Sequence, residues 1–239
     1  MEKLLFIPAT STTRITAKFN KNFFEQQFWA KNELICGVDE VGRGCLAGPV
    51  VTAAVILPLG KTSRLLNDSK LMTQAEREKA FDWIQDRCRT SIGIINHRLI
   101  DTHNIYQASL MAMKKAVISL FAQTPILPGA ILVDAMPLRL THTAYESMPV
   151  YHFYYGEKLS SSIAAASIVA KVTRDALMRR LDPLVPGFRL AQHKGYATPL
   201  HKQALADMAI HSLIHRETFL TLENMDILSE LENQLSIFI

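Results

Sequence analysis

The chain has 239 residues, 49% of them apolar, with a formal net charge of +4 and an isoelectric point near 9.0. That is apolar material enough for one large core, or one domain with small appendages, and a soluble globular protein is expected. A charge this mild does not by itself call for a nucleic-acid partner.

Residues 1–33 mix polar and aromatic side chains, with a helix expected around Phe19 to Ala30. The apolar stretch Leu4 to Ile7 stops at Pro8, too short for a signal-peptide core, and no later run is long enough to span a membrane. Cys36, Cys45 and Cys88 are odd in number and widely spaced, which fits core thiols in a reducing compartment and neither a disulfide framework nor a zinc site. A cytoplasmic protein is expected.

Leu34 to Val38 and Val50 to Leu57 read as two strands joined by a glycine-rich turn, with Gly48-Pro49 marking the bend into the second. Thr73 and Glu76 form a capping box opening a helix that runs to about Cys88, and Ser91 to Asn96 alternates like a third strand. A long helix is expected over Asn104 to Phe121, where Ile105, Leu110, Met113 and Val117 recur at helical spacing. Ile131 to Val133 is a short buried strand leading into Asp134, and Val150 to Tyr155 is another. An Ala-rich helix follows over Ile163 to Arg180, and Thr198 with Pro199 supplies the cap and first-turn proline of one more. No repeat or interdomain linker is visible, so the order predicts one α/β domain with a mixed sheet.

Charge is unevenly distributed. From Gly156 to Lys202 there are eight Lys or Arg against three acids; beyond Gln203 the balance reverses. A basic surface patch and a solvated helix face both fit this pattern.

Asp39 and Glu40 stand at the end of an apolar run and are followed at once by Val41-Gly42-Arg43-Gly44. Ionised acids in such a place need a partner or a cation, and their hard oxygens suit Mg²⁺ or Mn²⁺. Asp134 also ends an apolar strand. If the two strands are parallel neighbours, Asp39 and Asp134 meet at the carboxyl edge of the sheet, where α/β folds bind ligands. Glu40 faces the other side of an ideal strand and is expected to join them only because the chain turns there. Three or four acids could hold two divalent ions ~4 Å apart, an arrangement that activates water against a phosphodiester. Taken singly, each of these residues also reads as an ordinary strand-end acid at a turn. The glycines allow close backbone approach to a ligand, and Arg43 between them offers a forked phosphate donor.

These residues carry a resemblance. Asp39-Glu40-Val41-Gly42-Arg43-Gly44 with Leu46-Ala47-Gly48-Pro49-Val50 resembles the opening signature of type 2 ribonucleases H, specifically bacterial ribonuclease HII. The likeness continues through Asn67-Asp68-Ser69-Lys70, Val133-Asp134, Ile163 to Val172, Arg174-Asp175, His193-Lys194-Gly195-Tyr196 and His215-Arg216, covering about residues 34–220 in family order. It implies a ribonuclease H-like fold: a mixed five-stranded sheet flanked by helices, with a helical C-terminal extension. The implied domains are a helical leader over 1–33, a catalytic domain over 34–220 and a tail over 221–239.

The implied activity is an endonuclease that uses Mg²⁺ or Mn²⁺ at a two-metal site. It would act as a monomer on RNA/DNA hybrids and on single ribonucleotides in duplex DNA, in replication and repair, leaving 5′-phosphate and 3′-hydroxyl ends. By position, Asp39, Glu40 and Asp134 match three of the family's four metal-binding acids. Gly42, Arg43 and Gly44 match the motif that touches the ribose 2′-OH through backbone groups. Tyr196 matches the tyrosine stacked beside the RNA-to-DNA junction, and a half-buried core tyrosine is its bland reading. Lys70 and Lys194 are expected near phosphate or the acids.

One position departs from the pattern. The family's fourth acid is usually an Asp after a Gly, and this chain has Gly156-Glu157. Glu157 is expected to serve as the fourth ligand on a longer arm; Asp175, the nearest substitute, is expected in a surface ion pair. The end of the chain, Gln234-Leu235-Ser236-Ile237-Phe238-Ile239, resembles peptides that dock on the DNA polymerase sliding clamp. Gln234, Leu235, Ile237 and Phe238 would be the contacts, though the same apolar residues could close a terminal helix onto the core. Two alternatives are weighed. A ribonuclease HIII-like nuclease typically lacks Arg43 and has a larger leader. A non-catalytic nucleic-acid-binding protein would have no need of the acids.

Overall fold

The computed structural model describes residues 12–14, 20–208 and 213–220. Its elements are β1 (Thr12–Arg14), α1 (Phe23–Trp29), β2 (Ile35–Val41), β3 (Val50–Ile56), α2 (Gln74–Arg87), β4 (Arg89–Ile95), α3 (His97–Ala122), β5 (Ala130–Asp134), β6 (Val150–Phe153), α4 (Gly156–Leu159), α5 (Ser161–Leu181), α6 (Leu190–His193) and α7 (Pro199–Met208). They form one mixed sheet of strand order β1-β6-β5-β2-β3-β4. β2, β3 and β4 are antiparallel, while β5 is parallel to β2, β6 to β5 and β1 to β6.

The α/β class and the β2–β3 hairpin agree with the sequence, but the sheet has six strands, not five. The extra strand, β1, is three residues long and polar, and only its pairing with β6 makes it a strand. The leader therefore contributes a strand as well as the expected helix, α1.

Helices cover both faces. Cys36, Val38 and Ala54 pack on one side with Met113, Ala116 and Val117 of α3. Ala53 and Val55 pack on the other with Ala164, Ala165 and Ile168 of α5 and with Ala80 and Ile84 of α2. Buried side chains alternate along β3 toward these two layers, so every residue from Val50 to Ile56 is inside. α5 approaches β2 closely because Gly37 has no side chain; a Cβ there would stand 2.1 Å from the Ser162 carbonyl carbon.

Local signals place the helices. Thr73 and Glu76 form the expected reciprocal capping box of α2. α3 begins at His97, capped by Asn96, and kinks at Asn104 (φ 65, ψ 163), whose side chain accepts from the Gln107 N–H and caps the second segment. The expected start at Asn104 is thus a true start within a longer element. α1 docks on the amino end of α5: Asn22 Oδ1 accepts from Ser161 N–H at 2.9 Å and Glu25 Oε1 from Ser162 N–H at 3.0 Å. Among the described residues no helix is long and apolar enough to cross a membrane. Residues 234–239, including Gln234, Leu235, Ile237 and Phe238, lie outside the described residues, as does the rest of the tail from 221.

Candidate active site

β2 and β5 are parallel neighbours, and their register, Val38 opposite Val133, makes Asp39 and Asp134 the next residues on adjacent strands at the carboxyl edge. The two acids meet where the sequence predicts. Asp39 is buried; Oδ1 accepts from the Glu40 N–H at 2.7 Å, and the Ser167 hydroxyl of α5 lies near enough to oppose the rise in its pKa. Asp134 Oδ1 accepts the Gly156 N–H at 2.7 Å.

Glu40 reaches the cluster by a different route from the one expected. β2 does not turn there: it runs on through Val41, with Glu40 still in register with Thr52. Glu40 nevertheless lies close enough for its charge to act on Asp39, and for that of Asp134 to act on it. Its Oε1 lies 3.5 Å from Arg43 Nη1, and its Oε2 is buried with no hydrogen-bond partner among the described residues. Glu157, one residue after the glycine that holds Asp134, is buried and close enough for its charge to act on Asp134.

The electrostatics follow from this crowding. Burial pushes Asp39 well above the ordinary carboxylate range, and the charges of Glu40 and Asp134 push it further. Burial raises Glu40 to about 7 despite the opposing pull of Arg43, and Asp134 also raises it. Asp134 is raised to about 6 by burial and by Glu157, against the Gly156 N–H and Lys70. Among the described residues no three acidic, histidine or cysteine side chains close into a ready-made metal shell. The acids form an open cluster, and the unpartnered Glu40 oxygen together with mutual repulsion is what a divalent cation would relieve. The donor set is all oxygen and fits Mg²⁺ or Mn²⁺.

Cations and hydroxyls border the acids. A cavity of ≈ 430 Å³ is lined by Glu40, Ser69, Lys70, Arg77, Lys171 and Tyr196, among others. Lys70 is exposed, its backbone N–H bonded to Asp68 Oδ1, and its charge lowers both Glu40 and Asp134. Ser69 and Ser167 share a hydrogen bond of 2.8 Å across the cavity floor. Asp68, Ser69, Arg77 and Ser167 were not singled out from the sequence. Asp68, Ser69 and Ser167 lie inside motifs that carry the resemblance, but Arg77 sits on α2 with no local signal.

The Gly42–Gly44 loop and the Tyr196 turn are tied together by two arginines buried to 0% exposure. Arg174 donates to the carbonyls of Pro49 (2.9 Å), Lys194 (2.8 Å) and Ala47 (3.0 Å). Arg216 donates to those of Gly42 (2.6 Å), Arg43 (2.8 Å) and Gly48. Among the described residues neither has a carboxylate within ion-pair distance. Their forked donors satisfy carbonyls that a tight loop leaves without strand partners. Burial lowers Arg216 to about 10, so it stays charged at neutral pH. Gly42 takes φ 95, and a Cβ there would meet Arg174 Nε at 2.2 Å, whereas Gly44 faces open space.

Tyr196 is half-buried against Cys45, with Lys171 Nζ 5.1 Å and the Arg174 guanidinium 5.6 Å from its ring centre. Burial pushes its hydroxyl up to about 12. The Lys194 amine turns back onto the Ala191 carbonyl of its own turn. Asp175 does form an ion pair, with Lys171 at 2.9 Å, but it is buried rather than on the surface, because α5 lies under the Tyr196 turn.

Known proteins resemble this chain in sequence and in fold. The sequence profile of the ribonuclease HII family matches residues 36–222. The ribonuclease HII of Levilactobacillus brevis is 47% identical over 197 residues, 82% of this chain and 72% of that protein. That of Listeria innocua is 43% identical over 203 residues, 84% of this chain and 72% of that protein. Among solved structures, the ribonuclease HII of Archaeoglobus fulgidus, determined in complex with PCNA, superposes with a TM-score of 0.63 at 26% identity, covering 77% of this chain and 94% of that one. A ribonuclease HIII determined with Mn²⁺ superposes with a TM-score of 0.58 at 20% identity, over 81% of this chain and 75% of that one, a likeness of fold. The chain belongs to the ribonuclease HII family and is an endoribonuclease of the ribonuclease H2 type.

Proposed function

We propose that the chain cuts the RNA strand of RNA/DNA hybrids and single ribonucleotides in duplex DNA at Asp39, Glu40, Asp134 and Glu157, leaving 5′-phosphate and 3′-hydroxyl ends. The observation that carries this is the pair Asp39 and Asp134 on adjacent parallel strand ends beside the unpartnered Glu40 oxygen. These acids would hold Mg²⁺ or Mn²⁺, which when bound supplies charge neutralisation at the phosphodiester and a more acidic water. The chain's own residues do the rest. Gly156 N–H orients Asp134, Ser167 favours the ionised form of Asp39, and Lys70 brings a cation for a phosphate oxygen.

Recognition of the ribose falls to the backbone of Gly42, Arg43 and Gly44, fixed from beneath by Arg216. Tyr196 would rest on the sugar beyond it, its ring held by the cations of Lys171 and Arg174. The test is cleavage of a duplex with one ribonucleotide, against an all-DNA control, with Mg²⁺, Mn²⁺ or chelator. Metal-dependent cutting beside the ribonucleotide is expected, with most activity lost in a folded Glu157→Gln variant. An uncut substrate refutes the reading, and a normal Glu157→Gln refutes the fourth ligand.

The PCNA complex of the A. fulgidus relative supports a sliding clamp as partner, and the tail residues Gln234, Leu235, Ile237 and Phe238 are proposed to make that contact. Tethering there would raise the enzyme's concentration on newly made DNA without altering the site. Removing residues 234–239 should abolish clamp binding and spare cleavage of a short duplex. Unchanged clamp affinity assigns those residues to packing. The proposed setting is the cytoplasm, in keeping with the free thiols Cys36, Cys45 and Cys88.

A further inference from the structure

The carboxyl edge of the sheet continues beyond Asp134 onto β6 and β1. β1, β6 and β5 are parallel, with Arg14 opposite His152 and Phe153 opposite Asp134, so their ends share that edge. Two tyrosines stand there in the open: Tyr154 is 56% and Tyr155 69% exposed. Each carries a cation over its ring. The Arg14 guanidinium lies 4.9 Å from the centre of Tyr154, and Lys158 Nζ lies 5.4 Å from that of Tyr155.

The position of this pair is informative. Tyr155 directly precedes Gly156, which holds Asp134, and Glu157 follows. Tyr155 also takes a left-handed conformation, φ 59 and ψ 41, that a bulky side chain adopts rarely. Packing gives no reason for a tyrosine at that site, since an exposed ring buries little surface. In strand order the Gly42–Gly44 loop leaves β2 toward β3, whereas β6 and β1 lie on the other side of the acids. A duplex laid across the edge with its ribose at the glycine loop and its scissile phosphate at the acids would pass over Tyr154 and Tyr155.

We propose that Tyr154, Tyr155, Arg14 and Lys158 form a second substrate-binding surface, which takes the sugar-phosphate backbone of the duplex flanking the cut on the side away from the glycine loop. The inference rests on the cleavage site assigned above. Its chemistry is sequence-independent. The phenol hydroxyls can donate to phosphate oxygens, the ring faces can cover deoxyribose, and the two cations can neutralise adjacent phosphates. Adjacent exposed aromatics, each with its own cation, complement a polyanion with apolar sugar faces better than they complement an uncharged protein surface.

The experiment uses the full chain and duplexes bearing one ribonucleotide, with either flank long or short, at several salt concentrations. One variant combines Tyr154→Ala with Tyr155→Gly, glycine being chosen because it accepts the positive φ. A second combines Arg14→Ala with Lys158→Ala and leaves that backbone residue in place. For the unmodified chain, KM should fall as one particular flank lengthens. The tyrosine variant should raise KM on that long duplex about tenfold and lose the length advantage. The cation variant should lower the slope of log affinity against log salt by about 1–2.

An unchanged length advantage and an unchanged salt slope would overturn the proposal. So would an equal fall in kcat on long and short duplexes at constant KM, which would make the pair a support for Glu157. Anisotropy binding to an uncleavable all-DNA duplex reads the same surface without cleavage, so failure of the nuclease reading would show separately, as an uncut substrate with the unmodified chain.

Discussion

Gly156 gives its backbone N–H to Asp134 Oδ1 at 2.7 Å, and a Cβ on Gly156 would stand 3.1 Å from that same oxygen and 2.7 Å from Ile163 Cδ1. The bond and the missing side chain are two halves of one constraint. Gly156 is not in a positive-φ conformation, so its requirement is space. Gly156→Ala is expected to displace Asp134, cutting kcat by about a hundredfold while costing about 1–3 kcal/mol of stability. Steady-state kinetics with a thermal melt check this; normal kcat in the alanine variant would show that the contact is idle.

Neutralising Asp39 should stabilise the fold while ending cleavage. Its carboxyl is raised by burial and by neighbouring charge, so the ionised form is a cost above the raised folded value, and that cost disappears as pH falls toward the ordinary 3.8. At pH 8 in chelator, Asp39→Asn should therefore melt higher than the unmodified chain by roughly 1–2 kcal/mol, a few degrees for a domain of this size. Mn²⁺ should raise the melting temperature of the unmodified chain and much less that of the variant. A lower melting temperature for Asp39→Asn would show that the repulsion is already relieved.

The two glycines around Arg43 should respond oppositely to alanine. A Cβ on Gly42 meets Arg174 Nε at 2.2 Å and the residue has φ 95, so Gly42→Ala should cost about 2–4 kcal/mol. A Cβ on Gly44 meets nothing within 4 Å, so Gly44→Ala should leave stability within about 0.5 kcal/mol. Its expected effect is on substrate: a methyl between backbone and ribose should lower kcat/KM by tenfold or more. Full activity in Gly44→Ala would remove that backbone from the recognition surface.

Legibility of the chain follows the range of its contacts. The β2–β3 hairpin, the Thr73 capping box and the second segment of α3 are set by neighbours a few residues apart, and all are visible in the sequence. The meeting of Asp39 and Asp134 needs only that two apolar strands be adjacent and parallel. β1 is hidden because Thr-Thr-Arg has no apolar pattern and pairs with residues some 138 positions away. Arg174 and Arg216 stand inside visible motifs, yet their roles are invisible: most of their carbonyl partners are 125 to 174 residues distant, and backbone carbonyls leave no mark on side-chain patterns.

Acid should loosen the turn that carries Tyr196, through His193. The buried imidazole of His193 pairs Nε2 with the Phe188 carbonyl at 2.7 Å, so that nitrogen carries the proton, and Nδ1 accepts from the Gly195 N–H at 3.1 Å. A second proton would have to enter at Nδ1, opposite a donor, with the ring of His201 stacked at 4.0 Å. Burial lowers the His193 pKa below its ordinary 6.5, outweighing the Phe188 carbonyl and Asp182, while Lys194 adds to the lowering. The folded value lies below the unfolded one, so this contribution to stability is fully present above about 6.5 and is lost as pH falls through the folded value. His193→Asn keeps an acceptor for Gly195 but cannot titrate in this range. Melting curves from pH 8 to pH 5 should show the unmodified chain losing more stability on acidification than His193→Asn, whose melting temperature starts lower at pH 8. Parallel curves would show that His193 keeps its ordinary titration, and the turn beneath Tyr196 would then be held by Arg174 and the strand bridges alone.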